Sequence, residues 1–132
     1  MSRLVNFGLG EVCDRVSILG LKIYYGEANS VDVSHFKHER AALMVKILAR
    51  DGGRWIEWYT DLAVVNAAIW HAEDEIREHA AALLTEKDET AAAEHHFHAG
   101  TLGMQIAKLN DKRAELVFRI NEFVGEKQQE KV

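Results

Sequence analysis

The amino-acid sequence predicts an all-α fold, an antiparallel bundle of about four helices, two long and two short, with residues 2–9 as a short extended N-terminal lead-in. One observation is the absence of proline from all 132 residues, where average usage of about 5% would supply several. Folds built from sheets and loops place proline in their turns, so its absence favours long helices with few connections. The other observation is the periodicity of one uninterrupted central segment.

Residues 55–84 form this segment and predict a long helix around which the rest of the chain is organised. The segment contains no glycine and is rich in alanine, glutamate and leucine, which favour helices. Such a helix would be roughly 45 Å long and must bury its apolar stripe against partner helices. The stripe comprises Trp58, Leu62, Val65, Ile69, Ala72, Ile76 and Leu83. Trp55 and Tyr59 widen it, as core or interface residues or, alternatively, as an exposed binding platform.

Two shorter helices precede the long one. The first is predicted from about residue 10 to 25 with Gly26 as its C-cap, and the second from about 35 to 50. Asp32 or Ser34 is the expected N-cap of the second helix. Helical spacing gives the inward residues as Val12, Cys13, Val16, Leu19 and Ile23 in the first helix and Phe36, Leu43, Ile47 and Leu48 in the second.

A second long helix is predicted from about residue 90 to 124, with Gly125 as its cap. Gly100 and Gly103 are expected to kink or interrupt it. Its inward residues by spacing are Phe97, Leu102, Ile106, Leu109, Leu116, Ile120 and Phe123. Because the two long helices project past the short ones and leave apolar surface for a second copy, we expect a homodimer.

Composition limits the classes of protein to which the chain can belong. Its length predicts a single domain, residues 1–132, and its net charge of −5 argues against a nucleic acid as partner. The chain contains no run of 18 apolar residues, so no membrane span is predicted, and the first residues lack a signal-peptide core. The single cysteine, Cys13, excludes an internal disulfide and favours a reducing cytoplasm. Its place on an apolar face favours a buried, inert thiol over a nucleophile.

Polar residues spread over three helices are the candidate site, and helical spacing places Asn66, Glu73, Asn110 and Arg113 at or beside apolar stripes. We expect them to converge as a small pocket for an anionic or sugar-like ligand or a divalent ion. The alternative is a network of salt bridges and hydrogen bonds that fixes the register of the bundle, with Glu73 and Arg113 as an internal pair. The residues are Glu11, Asp14 and Lys22 on the first helix, Asn66, Glu73 and Asp74 on the third, and Asn110, Asp111 and Arg113 on the fourth.

No motif in the chain specifies a catalytic reaction, and we expect no catalytic residue. Helical nucleotide pyrophosphohydrolases use ExxE followed by ExxD to bind magnesium, but here Glu11-x-x-Asp14 precedes Glu75-x-x-Glu78. The leading interpretation is a non-catalytic binding or interaction module, and the alternative is a metal-dependent hydrolase of nucleotides or sugar phosphates. Three or more convergent carboxylates would favour the hydrolase, whereas carboxylates paired with lysine or arginine would favour the module or a structural network.

Histidines at residues 95, 96 and 98 invite a metal-binding interpretation. Glu94 and His98 stand four apart, and helix neighbours of this kind can chelate zinc or nickel. The chain nevertheless has no HExxH or CxxC motif, and the cluster adjoins a charged turn at a helix start. This context favours a solvated helix face, so we expect neither a metal nor a cofactor.

Three stretches resemble an uncharacterised family of short bacterial helical domains. Residues 10–23, GEVCDRVSILGLKI, are similar to the pattern G-E-x-x-D-[KR]-x-[ST]-I-L-x-x-K, except that Gly20-Leu21 stands near an expected glutamate. Residues 65–77, VNAAIWHAEDEIR, resemble L-x-x-x-N-x-x-L-W-x-x-E-D-x-I-R, and residues 108–121, KLNDKRAELVFRIN, resemble L-N-D-x-R-A-x-L-x-x-x-I-N. The resemblance covers about half the chain and picks out the same polar residues. It implies a loose association with cell-surface polysaccharide genes and no established activity.

Overall fold

A computed structural model describes residues 8–50 and 53–129 of the chain, with side chains up to residue 125. It contains four helices, which are α1 (Leu9–Ala28), α2 (Ser34–Leu48), α3 (Arg54–Leu83) and α4 (Glu89–Gln129). The prediction of an all-α bundle with two long and two short helices is therefore confirmed. The predicted lead-in lies outside the described residues except for Gly8 and Leu9, of which Leu9 already belongs to α1.

Helices α3 and α4 form one long antiparallel hairpin, on which α1 is packed. Trp58 of α3 contacts Phe123 of α4 at one end of the hairpin, and His79 contacts His95 near the other end. Helix α1 packs against all three other helices, whereas α2 is joined to the bundle chiefly through α1. The hairpin is thus covered at the end where α3 begins and α4 finishes.

The hydrophobic core lies at that covered end. Trp55 is only 3% exposed, and Trp58 and Tyr59 are half-buried against the core, so these aromatic residues are core residues rather than an exposed platform. The most deeply buried side chains are Leu19, Leu43, Leu62, Leu116, Ile120, Val12 and Cys13. Between residues 73 and 115 no residue is buried. The buried side chains of the hairpin are therefore confined to its covered half, and the remainder is called here the distal half.

Several predicted helix ends were wrong, because glycine lowers helix propensity but does not by itself end a helix. Helix α1 passes Gly26 and ends at Ala28, and α4 passes Gly125 and reaches Gln129. Gly100 and Gly103 also lie within the continuous helix α4. An interior glycine costs only about 1 kcal/mol relative to alanine, which is too little to end a long helix on its own.

The N-cap of α2 and the environment of two apolar residues also differ from the prediction. Helix α2 begins at Ser34 with Val33 as its N-cap, although the Asp32 carboxylate still accepts the backbone N–H of Ser34 at 3.0 Å. Leu48, predicted to point inward, is the last residue of α2 and is exposed. Phe97, also predicted to point inward, is 71% exposed because it lies on the face of α4 opposite α3.

Candidate functional site

A bidentate ion pair joins α1 to α4 at the centre of the candidate site. The Arg113 guanidinium donates from Nε to Asp14 Oδ1 at 2.9 Å and from Nη2 to Asp14 Oδ2 at 2.6 Å. Both side chains are largely shielded, with 33% of Arg113 and 16% of Asp14 exposed. The hydrogen bond to Asp14 raises the pKa of Arg113 above its ordinary value, and the charge of nearby Glu73 adds to this effect. Two parallel charge-assisted bonds fix orientation as well as distance.

Asn66 brings α3 into the same network. Its side-chain amide donates to Asp14 Oδ1 at 2.8 Å and to Ser17 Oγ at 2.6 Å, while Ser17 donates to the backbone carbonyl of Asp14 at 2.8 Å. Asn66 is the only buried polar residue of the described chain, at 4% exposed. Among the described residues no buried side-chain nitrogen or oxygen lacks a hydrogen-bond partner. The network is therefore fully satisfied and ties three helices together.

Asn121, which the sequence analysis did not single out, forms a second link between α1 and α4. Its amide nitrogen donates to both carboxylate oxygens of Glu11 at 2.9 Å, and its Oδ1 accepts the backbone N–H of Gly10 at 2.7 Å. The latter bond satisfies one of the N–H groups that a helix N-terminus leaves free. A Cβ at Gly10 would lie 2.4 Å from the carbonyl oxygen of Val117, so only glycine allows α1 to approach α4 this closely.

A third link, between Arg15 and Glu39, connects α1 to α2. Arg15 donates from Nε and Nη2 to the two oxygens of Glu39 at 2.7 and 2.9 Å, and these bonds lower the pKa of the Glu39 carboxyl. Spacing within either helix could not reveal this pair, because the two residues meet only when α2 packs on α1.

The other predicted site residues stand apart from this network. Lys22 lies over the Phe36 ring at 5.2 Å, and Glu73 faces Lys22 across a small pocket of about 220 Å³ beside Arg113. Glu73 does not form the predicted ion pair with Arg113, because the Arg113 guanidinium is paired with Asp14 and Glu73 is exposed.

The remaining predicted site residues lie on the surface. Asp74 pairs with Arg77 on the surface of α3. Asn110 and Asp111 are exposed on α4.

An open groove of about 460 Å³ runs between α1 and α4 beside the network. Glu11 and Asp14 contribute carboxylates to its lining, so the groove can accept hydrogen bonds from hydroxyl or amine groups. Its lining comprises Glu11, Asp14, Asn110, Arg113, Ala114, Val117, Phe118 and Asn121. Within residues 8–50 and 53–129 no three histidine, cysteine, aspartate or glutamate side chains are arranged to hold a metal ion.

Helix α4 also carries an unexpected row of exposed residues, named here the outward stripe. It comprises Phe97, Gly100, Met104, Ala107, Asp111, Ala114 and Phe118, all of which are exposed. Phe97, Met104 and Phe118 are 71%, 70% and 62% exposed, and seven or fourteen residues separate them. The half-buried residues that face α3, such as Ala99 and Ile106, lie on the opposite side of the helix. The seven-residue spacing is present in the sequence, but Phe97 was predicted to point inward, so the outward stripe was not predicted.

Comparison with protein-family models, curated proteins and solved structures gave no match for this chain. The fold and the side-chain geometry are thus the basis for assigning a function. In the described part of the chain, every helix is too short or too polar to cross a lipid bilayer.

Proposed function

We propose that the protein is a non-catalytic interaction module that docks the outward stripe of α4 onto a second copy of the chain. The observation that carries this proposal is that α4 has apolar side chains on two opposite faces. A helix at the edge of a monomer ordinarily presents a polar face to water. A row of exposed apolar residues on the outer face is the pattern of an interaction surface.

The outward stripe is complementary to itself when two copies of α4 run antiparallel. In one register, every large residue lies opposite a small residue of the partner, which is the arrangement that lets side chains interdigitate between closely packed helices. The opposed residues are Phe97 and the partner's Ala114, Met104 and the partner's Ala107, Phe118 and the partner's Ala93, and Asp111 and the partner's Gly100. This contact would extend over residues 93–118, or about 39 Å of helix.

Asp111 interrupts the stripe and supports a specific register. A single polar residue in a helix–helix seam lowers stability but disfavours alternative registers, in which it would be buried against a large apolar side chain. Opposite the partner's Gly100, the Asp111 carboxylate has room to remain hydrated.

The polar network supports this function rather than a catalytic one. Asp14 and Glu39 are each paired with an arginine and Glu11 with Asn121, so these carboxylates are engaged within the fold. By joining α1, α3 and α4, the Asp14 network holds α4 in a fixed orientation and thereby presents its outer face. We place the module in a reducing cytoplasm, in keeping with the single free thiol of Cys13.

Sedimentation equilibrium of matched variants tests the proposal. The wild-type chain is expected to be a dimer. Met104→Glu is expected to weaken dimerisation by at least about 100-fold, because it replaces two methionines of the interface by two carboxylates that must be buried opposite alanine. Val64→Glu is the control, since Val64 is equally exposed, at 69%, but lies on α3. A monomeric wild type at about 100 µM, or an unchanged Met104→Glu dimer, would contradict the proposal.

The groove beside the network supports a second, smaller proposal, a binding site for a sugar-like ligand. Two carboxylates, two amides and the exposed Phe118 ring line it, which is a set that hydroxyl groups and an apolar sugar face can both contact. Because Phe118 also belongs to the outward stripe, such a ligand should compete with the dimer. Amide chemical-shift changes at Asn110 and Ala114 on titration with simple sugars would support it, and unchanged spectra would exclude it.

A further inference from the structure

His79 of α3 and His95 of α4 meet between the helices in the distal half of the hairpin. Their Nδ1 atoms lie 2.8 Å apart, and the ring of His98 stacks on the His79 ring with 5.5 Å between ring centroids. His79 and His95 are half-buried, whereas His98 is exposed. The sequence interpretation of the 94–98 segment as a solvated face therefore does not extend to His95.

We propose that His79 and His95 form a two-histidine clamp for a divalent transition-metal ion such as Zn²⁺, Ni²⁺ or Cu²⁺, which bridges α3 and α4. Imidazole nitrogen is a preferred ligand of these ions. In the present contact one Nδ1 donates its proton to the other, and moving that proton to Nε2 of the same ring leaves two Nδ1 lone pairs facing each other. Water molecules complete the coordination.

The geometry requires only a small adjustment. Two nitrogens bound to one tetrahedral zinc at 2.0–2.1 Å lie roughly 3.3 Å apart, so the present contact must open by about half an ångström. Rings that are only half-buried can rotate this far, and small residues adjoin them on both helices, namely Ala80 and Ala82 on α3 and Ala91 and Ala99 on α4. The stacked His98 ring limits the orientations of His79, which favours the facing arrangement.

A neighbouring charge favours a cation at this position. Glu75 lies one turn before His79, so the face of α3 that carries this histidine also carries a carboxylate. The clamp would act where the hairpin is least supported, since residues 73–115 bury no side chain. An ion that binds only the closed hairpin stabilises it by mass action.

Calorimetric titration of the tag-free, full-length chain with Zn²⁺ or Ni²⁺ tests the clamp. We expect one ion per chain and a rise in Tm of several degrees at saturating metal. With Cu²⁺, electron paramagnetic resonance should show hyperfine coupling to two imidazole nitrogens. These readouts do not depend on whether the chain dimerises.

Single histidine variants assign the site. His79→Ala and His95→Ala are each expected to lose at least tenfold in affinity, and His79→Gln, which retains hydrogen bonding, serves if an alanine variant does not fold. His96→Ala is the matched control, because His96 is exposed on the same helix. The clamp is refuted if the wild type binds no metal, if the variants at 79 and 95 bind as the wild type does, or if His96→Ala abolishes binding.

Discussion

At the scale of single residues, the Asp14 carboxylate is the point at which three helices are joined. Asp14 belongs to α1, and its carboxylate accepts hydrogen bonds from Arg113 on α4 and from Asn66 on α3. Burial of such a carboxylate is tolerable only because each of its oxygens has a charged or amide donor. Loss of one donor leaves a shielded negative charge that is only partly compensated.

Arg113→Ala should therefore destabilise the fold by about 1.5–3 kcal/mol, the range for hydrogen bonds to charged groups. Urea unfolding followed by circular dichroism measures the change. Arg119→Ala is the control, because Arg119 pairs with Glu115 on the exposed surface of the same helix and should cost less than about 0.5 kcal/mol. Equal losses in the two variants would show that the Asp14 pair behaves like a surface ion pair.

Cys13 makes the stability of the folded chain depend on pH. Burial, with a smaller contribution from the charge of Asp14, raises the pKa of this thiol from 9.0 to about 12. The folded chain thus keeps the thiol protonated where the unfolded chain ionises it, so its contribution to stability is complete below about pH 9 and is lost as the pH rises toward 12.

The free energy of unfolding of wild type, compared with Cys13→Ala, should therefore fall by about 1 kcal/mol between pH 8 and pH 10 under reducing conditions. The comparison between variants removes the titration of all other groups. A thiol that reacts with a disulfide reagent in the native protein at pH 8 within minutes would contradict this assignment.

At the scale of helices, the spacing of apolar residues predicted which segments are helical but not where each helix ends. Gly26 and Gly125 resemble C-caps in sequence, yet α1 continues to Ala28 and α4 to Gln129. Spacing also predicted the inward face of α1 correctly, since Val12, Val16, Leu19 and Ile23 are all buried. It failed for Phe97, because α4 carries two apolar stripes and a single-face rule cannot separate them.

The same limit applies to the candidate site. Residues beside the apolar stripes, such as Glu11, Asp14, Asn66 and Arg113, were found from the sequence because polar groups are uncommon there. Their partners could not be found in this way, since the pairing of Arg113 with Asp14 rather than Glu73 depends on how α1 lies across α4. Asn121 is the last residue of the third family-like stretch, but only its contacts with Glu11 and Gly10 show its role.

The two halves of the hairpin should differ in local stability. Backbone amides in residues 55–72 and 116–124, which contain all the buried residues of α3 and α4, should exchange hydrogen more slowly than those in residues 73–92. Residues 93–115 of α4 should be protected in the dimer and lose that protection in Met104→Glu. Hydrogen exchange read by mass spectrometry measures both differences, and uniform protection along the hairpin would contradict them.

At the scale of the whole molecule, a small core holds one end of a long hairpin, and the other end presents an apolar face to water. We expect two molecules to pair along α4 with each hairpin tip directed toward the core of its partner. In that assembly the distal half of each hairpin would pack beside the core end of the partner's α4, which would support a helix of 41 residues where it extends beyond its own core.

Distances between nitroxide labels on introduced cysteines of the two copies test this arrangement. The native Cys13 is buried and should remain unlabelled. For the antiparallel register, the helical rise and the usual spacing of packed helices give about 35 Å between labels at Glu94→Cys and about 17 Å at Thr101→Cys. Pulsed electron paramagnetic resonance is expected to show these two different distances. Absence of any intermolecular coupling at about 100 µM protein, or equal distances of about 10 Å at both positions as in a parallel pair, would contradict the account.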